Sequence, residues 1–305
     1  MVDAVVIGGG PAGLTAALFL ARRGREVLVL APGIPGGLLA TIDRVEDFPG
    51  FPLGTPGYEL GPWLQEQAAN AGALFQMAEA TGLRRSGDGW EVLTNDDVIA
   101  SRSVIAATGS RPRTLGVPGE ARLTGRGVSH CASCDGPLLR GRNVTVVGAG
   151  DSALQEALTL AEFAGQVVVV HRSERPMAQA VYLRRLAEHP NISLRAQAVV
   201  DEVLGDDTVT GVRLRDLGSG AAEVAATEGV FVYIGLQPNT EFLAGVVALD
   251  AGGHIPTDIW MRTGQPGLFA VGDARANAAG QAVAAAGDGA TAAVAAHQYL
   301  QARGD

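Results

Sequence analysis

The chain has 305 residues, with 23 Lys and Arg against 32 Asp and Glu for a formal net charge of −9, and 47% of it is hydrophobic. That supplies enough apolar material for two buried cores, and with no basic run it argues against a nucleic acid or an anionic membrane as partner. The uncharged stretch Ala4 to Ala21 approaches bilayer-spanning length, but Gly8-Gly9-Gly10-Pro11 interrupts it and Asp3 stands where an export signal carries positive charge, so a cytoplasmic protein is expected.

Val5-Val6-Ile7 reads as a buried strand leading into Gly8-x-Gly10-Pro11-Ala12-Gly13, a helix over Leu14 to Arg23 and a second strand over Val27 to Leu30. Strand, glycine loop, helix and strand in this order form a dinucleotide fingerprint. The glycines permit a tight turn and close approach of backbone to a pyrophosphate, and the helix N-terminus attracts it. The acid that usually receives ribose hydroxyls after the second strand is replaced by Ala31-Pro32. Gly36-Gly37-Leu38 and Val45-Glu46-Asp47-Phe48-Pro49-Gly50-Phe51-Pro52 have no periodicity and read as loop. Tyr58 to Ala71 is an amphipathic helix, Trp90 to Thr94 with Val98-Ile99 a hairpin, and Val104 to Gly109 a strand ending at Ala107-Thr108-Gly109.

The only two cysteines stand in Cys131-Ala132-Ser133-Cys134-Asp135. In a Cys-x-x-Cys turn one sulfur can attack a disulfide while the other resolves the intermediate, and Asp135 is placed to move the proton. Zinc needs four ligands, and His130 is the only nearby addition, so no metal is expected. A structural disulfide would close too short a loop to remove much unfolded-state entropy.

From Gly141 the grammar repeats: strand Asn143 to Val147, loop Gly148-Ala149-Gly150-Asp151-Ser152-Ala153, helix Leu154 to Ala164, strand Gln166 to Val170. After that strand stand His171-Arg172, with Arg175 close behind. Positive charge there favours a 2′-phosphate, hence NADPH over NADH, although a solvated strand end would read the same way. Asp151 can serve the helix N-terminus. Candidate strands Ala198 to Val203 and Val209 to Leu214 precede a third ending at Gly235. Gly109-Ser110-Arg111-Pro112 and Gly235-Leu236-Gln237-Pro238 share a Gly-x-x-Pro pattern that suggests a paired linker. Gly272-Asp273 and an Ala-rich helix over Gln281 to Leu300 complete the chain. The expected fold is α/β, with two Rossmann-like domains of three-layer ββα type, the second inserted in the first: residues 1–113 and 241–305 form one, 114–240 the other.

Taken together, these motifs, with Gly127 to Gly136, Pro238-Asn239-Thr240 and Gln281-Ala282, make the sequence resemble the bacterial low-molecular-weight thioredoxin reductases, the class II FAD-dependent pyridine nucleotide-disulfide oxidoreductases. The resemblance implies that FAD is held by Gly8, Gly10, Pro11, Ala12, Gly13, Gly36, Gly37, Leu38, Asp47, Ala107, Thr108, Gly109, Gly272, Asp273, Gln281 and Ala282. It implies that NADPH is held by Gly148, Gly150, Asp151, Ser152, Ala153, His171, Arg172 and Arg175. It further implies a homodimer that swivels between two arrangements, with Cys134 against the flavin, Cys131 exchanging with a thioredoxin-like protein and Asp135 as acid-base group. Three departures stand out: Ser173 and Met177 replace two of three family arginines, Ala279-Gly280 replaces a Tyr-Arg pair, and Leu38 replaces a glutamine. They leave room for an NADPH-independent flavin thiol enzyme, either a dithiol oxidase using oxygen or a reductase fed by ferredoxin or another carrier. A redox-responsive binding protein with FAD as a static ligand is the reading from another class.

Overall fold

The computed structural model describes residues 1–304. The elements are β1 (Val2–Ile7), α1 (Pro11–Ala21), β2 (Val27–Leu30), α2 (Gly57–Asn70), β3 (Leu74–Gln76), β4 (Ala80–Ser86), β5 (Gly89–Thr94), β6 (Val98–Ala106), β7 (Ser110–Pro112), α3 (Glu120–Leu123), β8 (Val128–Ser129) and α4 (Ala132–Asp135). There follow β9 (Asn143–Val147), α5 (Asp151–Ala161), β10 (Gln166–Val170), α6 (Ala180–Ala187), β11 (Ile192–Arg195), β12 (Ala198–Leu204), β13 (Gly211–Asp216), β14 (Ala222–Ala226), β15 (Gly229–Val232), β16 (Leu236–Pro238), β17 (Leu268–Ala270) and α7 (Ala282–Gln301). They fall into two compact units, residues 1–111 with 237–305 and residues 112–236.

In the first unit a seven-stranded sheet runs β3-β2-β1-β6-β5-β4, with β17 also on β6. The strands β3, β2, β1, β6 and β17 are parallel, and β4-β5-β6 is an antiparallel meander. The central strands run continuously apolar over residues 4–7 of β1, 104–106 of β6 and all of β2 and β17, where both faces are covered. One face is closed by α1 and the Ala-rich α7, whose Ala292, Ala293, Ala295 and Ala296 are buried with Ala12, Ala16, Ala17 and Leu20. Pro11 opens α1 at the position where a missing N–H costs nothing.

The second unit holds a five-stranded parallel sheet, β11-β10-β9-β15-β8, and a separate antiparallel sheet, β12-β13-β14. The order β11-β10-β9-β15 repeats β3-β2-β1-β6, so the two units are built on one plan, as the repeated sequence grammar predicts.

Some elements differ from the sequence reading. The segments read as a hairpin arm at Val98-Ile99 and a strand at Val104 are one continuous strand, β6. The strands β3 and β4 escaped notice because both are short on apolar signal: β4 is Ala-Thr-Gly-Leu-Arg-Arg-Ser, with Leu83 its only buried residue. The helix α5 begins at Asp151, three residues before Leu154.

Candidate active site and nucleotide loops

The redox turn follows β8 in the second unit. Cys131 has extended backbone (φ −137°, ψ 101°) and caps α4, a single turn. Ala132, between the cysteines, is fully buried among Val144, Val146, Leu154, Ala157 and Phe231, so the turn is pinned by its smallest apolar side chain while Cys134 stays exposed. Cys131 and Cys134 form a disulfide. The Cys134 N–H donates to Cys131 Sγ at 3.3 Å, and the Ser133 hydroxyl lies 3.5 Å from the same sulfur. Ser129 Oγ accepts from the Cys131 N–H at 3.0 Å, and the Asp135 N–H donates to the Cys131 carbonyl at 3.1 Å. His130 does not face the cysteines as a ligand: its Nδ1 is 2.9 Å from the Val232 carbonyl, and no group of three metal-ligating side chains occurs among the described residues.

Sequence reasoning missed Tyr233. Its hydroxyl accepts the Ala132 N–H at 3.1 Å. Burial pushes its phenol well above the usual range, with the charges of Glu156 and Asp135 adding to the effect.

The glycine loop of the first unit gathers most of the residues assigned to it. Gly8 has φ +117°, and a Cβ there would lie 2.2 Å from the Ala107 carbonyl; a Cβ on Gly13 would lie 2.0 Å from the Gly8 carbonyl. Only glycine fits this approach. Gly36 donates to the Gly9 carbonyl at 2.8 Å, which brings Gly36 and Gly37 alongside Gly10. Gly272 packs on Ala12, and Ala282 joins the cluster of Leu39, Val45 and Leu60. The Ser110 hydroxyl donates to Asp273 at 2.8 Å. Two further residues went unread: Asp288 on α7 takes both the Arg275 guanidinium, at 2.6 and 3.0 Å, and the Gly272 N–H at 3.1 Å, and so fixes where Asp273 stands. The loop fits a dinucleotide by two observations. α1 starts with neither a side-chain cap nor an acid in its first turn, and the buried Thr108 hydroxyl has no partner among the described residues. Asp47 is exposed on its loop, and its neighbours Val45 and Phe48 turn to the core.

The second loop repeats the first. Gly148 has φ +127°, and a Cβ there would lie 2.1 Å from the Tyr233 carbonyl. Asp151 is engaged, its carboxylate accepting from the Gln179 N–H at 2.7 Å and from Gln179 Nε2 at 3.0 Å, and Met177 donates to the Ala149 carbonyl at 2.9 Å. Segment 172–179 is thereby tied to the loop. Arg172 and Arg175 are exposed, and no hydrogen bond or ion pair engages either guanidinium among the described residues, as suits an anion site. His171 is 4% exposed, its Nδ1 lies 3.2 Å from the Ser173 hydroxyl, and burial holds its pKa below the usual value, so the exposed positive charges at this strand end are those of Arg172 and Arg175.

The profile of the pyridine nucleotide-disulphide oxidoreductases matches residues 2–289. The chain belongs to that family. It is similar to a thioredoxin reductase of Listeria monocytogenes, 38% identical over 98% of this chain and 94% of the relative, and to one of Mycolicibacterium smegmatis, 39% identical over 98% and 96%. Among solved structures it resembles a thioredoxin reductase of Lactococcus lactis, with a TM-score of 0.97 and 37% identity over 99% of this chain and all of the other. This family member is therefore an oxidoreductase of thioredoxin reductase type, and the disulfide described above fits its redox-active centre. No helix among the described residues is long and apolar enough to cross a membrane.

Proposed function

We propose that this enzyme reduces the disulfide of a thioredoxin-like protein with electrons from NADPH by way of FAD. The observation that carries the reading is the Cys131–Cys134 disulfide in a half-exposed turn, inside a unit that also carries a dinucleotide loop and two unengaged arginines. A bound FAD would supply a two-electron relay between a nicotinamide hydride and a disulfide. Residues 1–111 and 237–305 would hold it, with Gly8 to Gly13 and the first turn of α1 at the pyrophosphate and Thr108 and Asp273 nearby. Gly148 to Ala153, Arg172 and Arg175 would hold NADPH. A thiolate at Cys131 finds the Cys134 N–H and Ser133 hydroxyl directed at its sulfur, so it is stabilised as the exchanging nucleophile, while Cys134 resolves and Asp135 moves the proton. A homodimer in the cytoplasm completes the proposal.

A second reading has one observation behind it. Ser173 and Met177 stand where the family carries arginines, and Ser173 is turned to His171 while Met177 is exposed, which favours an enzyme indifferent to NADPH. Anaerobic addition of NADPH to the purified enzyme, followed by flavin absorbance, separates the two. Bleaching in wild type and in Cys131→Ser, with disulfide turnover lost only in the variant, supports the proposal. Flavin that stays oxidised at millimolar NADPH and NADH moves the assignment to the second reading.

A further inference from the structure

Tyr233 stands at one position of the repeated plan. In the first unit the carbonyl that closes on the loop glycine belongs to Ala107; in the second it belongs to Tyr233, whose N–H also donates to the Val147 carbonyl at 2.8 Å. The backbone of Tyr233 thus forms one wall of the nucleotide loop, and its hydroxyl reaches the residue between the cysteines. No such turn accompanies Ala107, and no long side chain is needed there.

The bond to Ala132 meets a definite need. A capping side chain serves the second and third N–H groups of a helix, and Cys131 does this through Cys134 N–H. The first N–H, that of Ala132, is beyond the reach of such a cap, and Ala132 is fully buried. Without the Tyr233 hydroxyl it would be a buried donor with no acceptor, the costly case.

We infer that Tyr233 is a positioning residue for the redox turn, favouring the disulfide over the dithiol by holding the Ala132 N–H. With the sulfurs bonded, the turn is closed and Ala132 has no other acceptor in range; with the bond broken, the turn can relax and its N–H groups can find water or a thiolate. Losing the hydroxyl therefore penalises the disulfide more than the dithiol. The inference rests on Cys131–Cys134 being the redox pair.

The test is equilibration of the intact chain with mixtures of reduced and oxidised glutathione, followed by thiol trapping and mass spectrometry. Two glutathione thiols supply the two electrons and two protons that turn the Cys131–Cys134 disulfide into two thiols, and are themselves joined as one disulfide. Tyr233→Phe keeps the ring and removes the hydroxyl. It should shift the equilibrium toward the dithiol about three- to tenfold, the worth of one net hydrogen bond, or about 15–30 mV for two electrons. Tyr182→Phe, which removes a hydroxyl bonded to Gln155 in the same unit, should not shift it. An unchanged ratio in Tyr233→Phe, or an equal shift in Tyr182→Phe, overturns the inference. Should Tyr233→Phe not fold, amide exchange at Ala132 in the wild type decides: protection that weakens on reduction supports the role, and rapid exchange in the disulfide form overturns it. Wild-type flavin that NADPH fails to bleach in the same preparation would sink the proposed function instead.

Discussion

The two glycine loops share a plan and differ in tightness. Gly8 and Gly148 take the same left-handed backbone, and each faces a strand-end carbonyl at a distance that admits no side chain. Five residues on, however, the first loop has Gly13, whose missing Cβ would collide with the Gly8 carbonyl at 2.0 Å, while the second has Ala153, fully buried with its methyl accommodated. The second loop must therefore stand wider from its helix. It also carries an acid, Asp151, in the first turn of α5, where α1 has none. The first unit adds the part-buried Arg275–Asp288 pair to fix Gly272 and leaves a buried Thr108 hydroxyl to be satisfied by a ligand. On the proposed function, the difference is that between a cradle completed by a resident group and a surface that a nucleotide visits.

The sharpest way to break this comparison is the same substitution in both loops. Gly8→Ala and Gly148→Ala each force a left-handed residue, about 1–3 kcal/mol of strain, onto a backbone contact that cannot yield. Gly8→Ala should yield protein without bound flavin. Gly148→Ala should keep its flavin and lose at least about tenfold in reduction by a pyridine nucleotide, since charge-assisted contacts worth about 1.5–3 kcal/mol each depend on that loop. Cofactor absorbance and stopped-flow reduction read both, and an indistinguishable pair of variants would end the distinction.

A smaller effect is expected at the end of β10. Arg172→Ala should raise the Michaelis constant for NADPH about tenfold and erase any preference over NADH, because one exposed charge-assisted contact is lost. Ser173→Arg with Met177→Arg should lower it. If neither change alters the NADPH-to-NADH ratio, the visiting ligand is not recognised by its 2′-phosphate.

The smallest effect concerns His171, which has no counterpart in the first unit, where Ala31 follows β2. Its folded pKa lies below that of the unfolded chain. As pH falls below about 6.5 the unfolded state binds a proton that the native state does not. The stabilisation is therefore complete above that pH and is lost between it and the lower folded value, at no more than about 1.4 kcal/mol per pH unit. His171→Gln should flatten the dependence of the melting temperature on pH in this window. A slope equal to that of the wild type would mean that another group sets it.

The sequence by itself determined the two nucleotide grammars, their order and the redox pair, because each depends on local geometry: a glycine where only glycine fits, a proline opening a helix, two cysteines spaced for one turn. Strands β2, β9 and β10 were legible to the residue, since short valine-rich runs of four or five residues are too short for a helix and rich in β-branched side chains. The edge strand β4, with one buried residue, became a strand only by pairing with β5. Side-chain partners were likewise beyond the sequence. Whether His171 carries charge depends on what covers it, which its sequence neighbours cannot state in advance of folding. Tyr233, 99 residues after Cys134 in sequence, and Asp288, 13 residues after Arg275, gain their roles only when parallel strands and packed helices bring distant backbone groups within hydrogen-bond range. Hydrogen bonds across such separations are set by tertiary packing, and local sequence carries no trace of them.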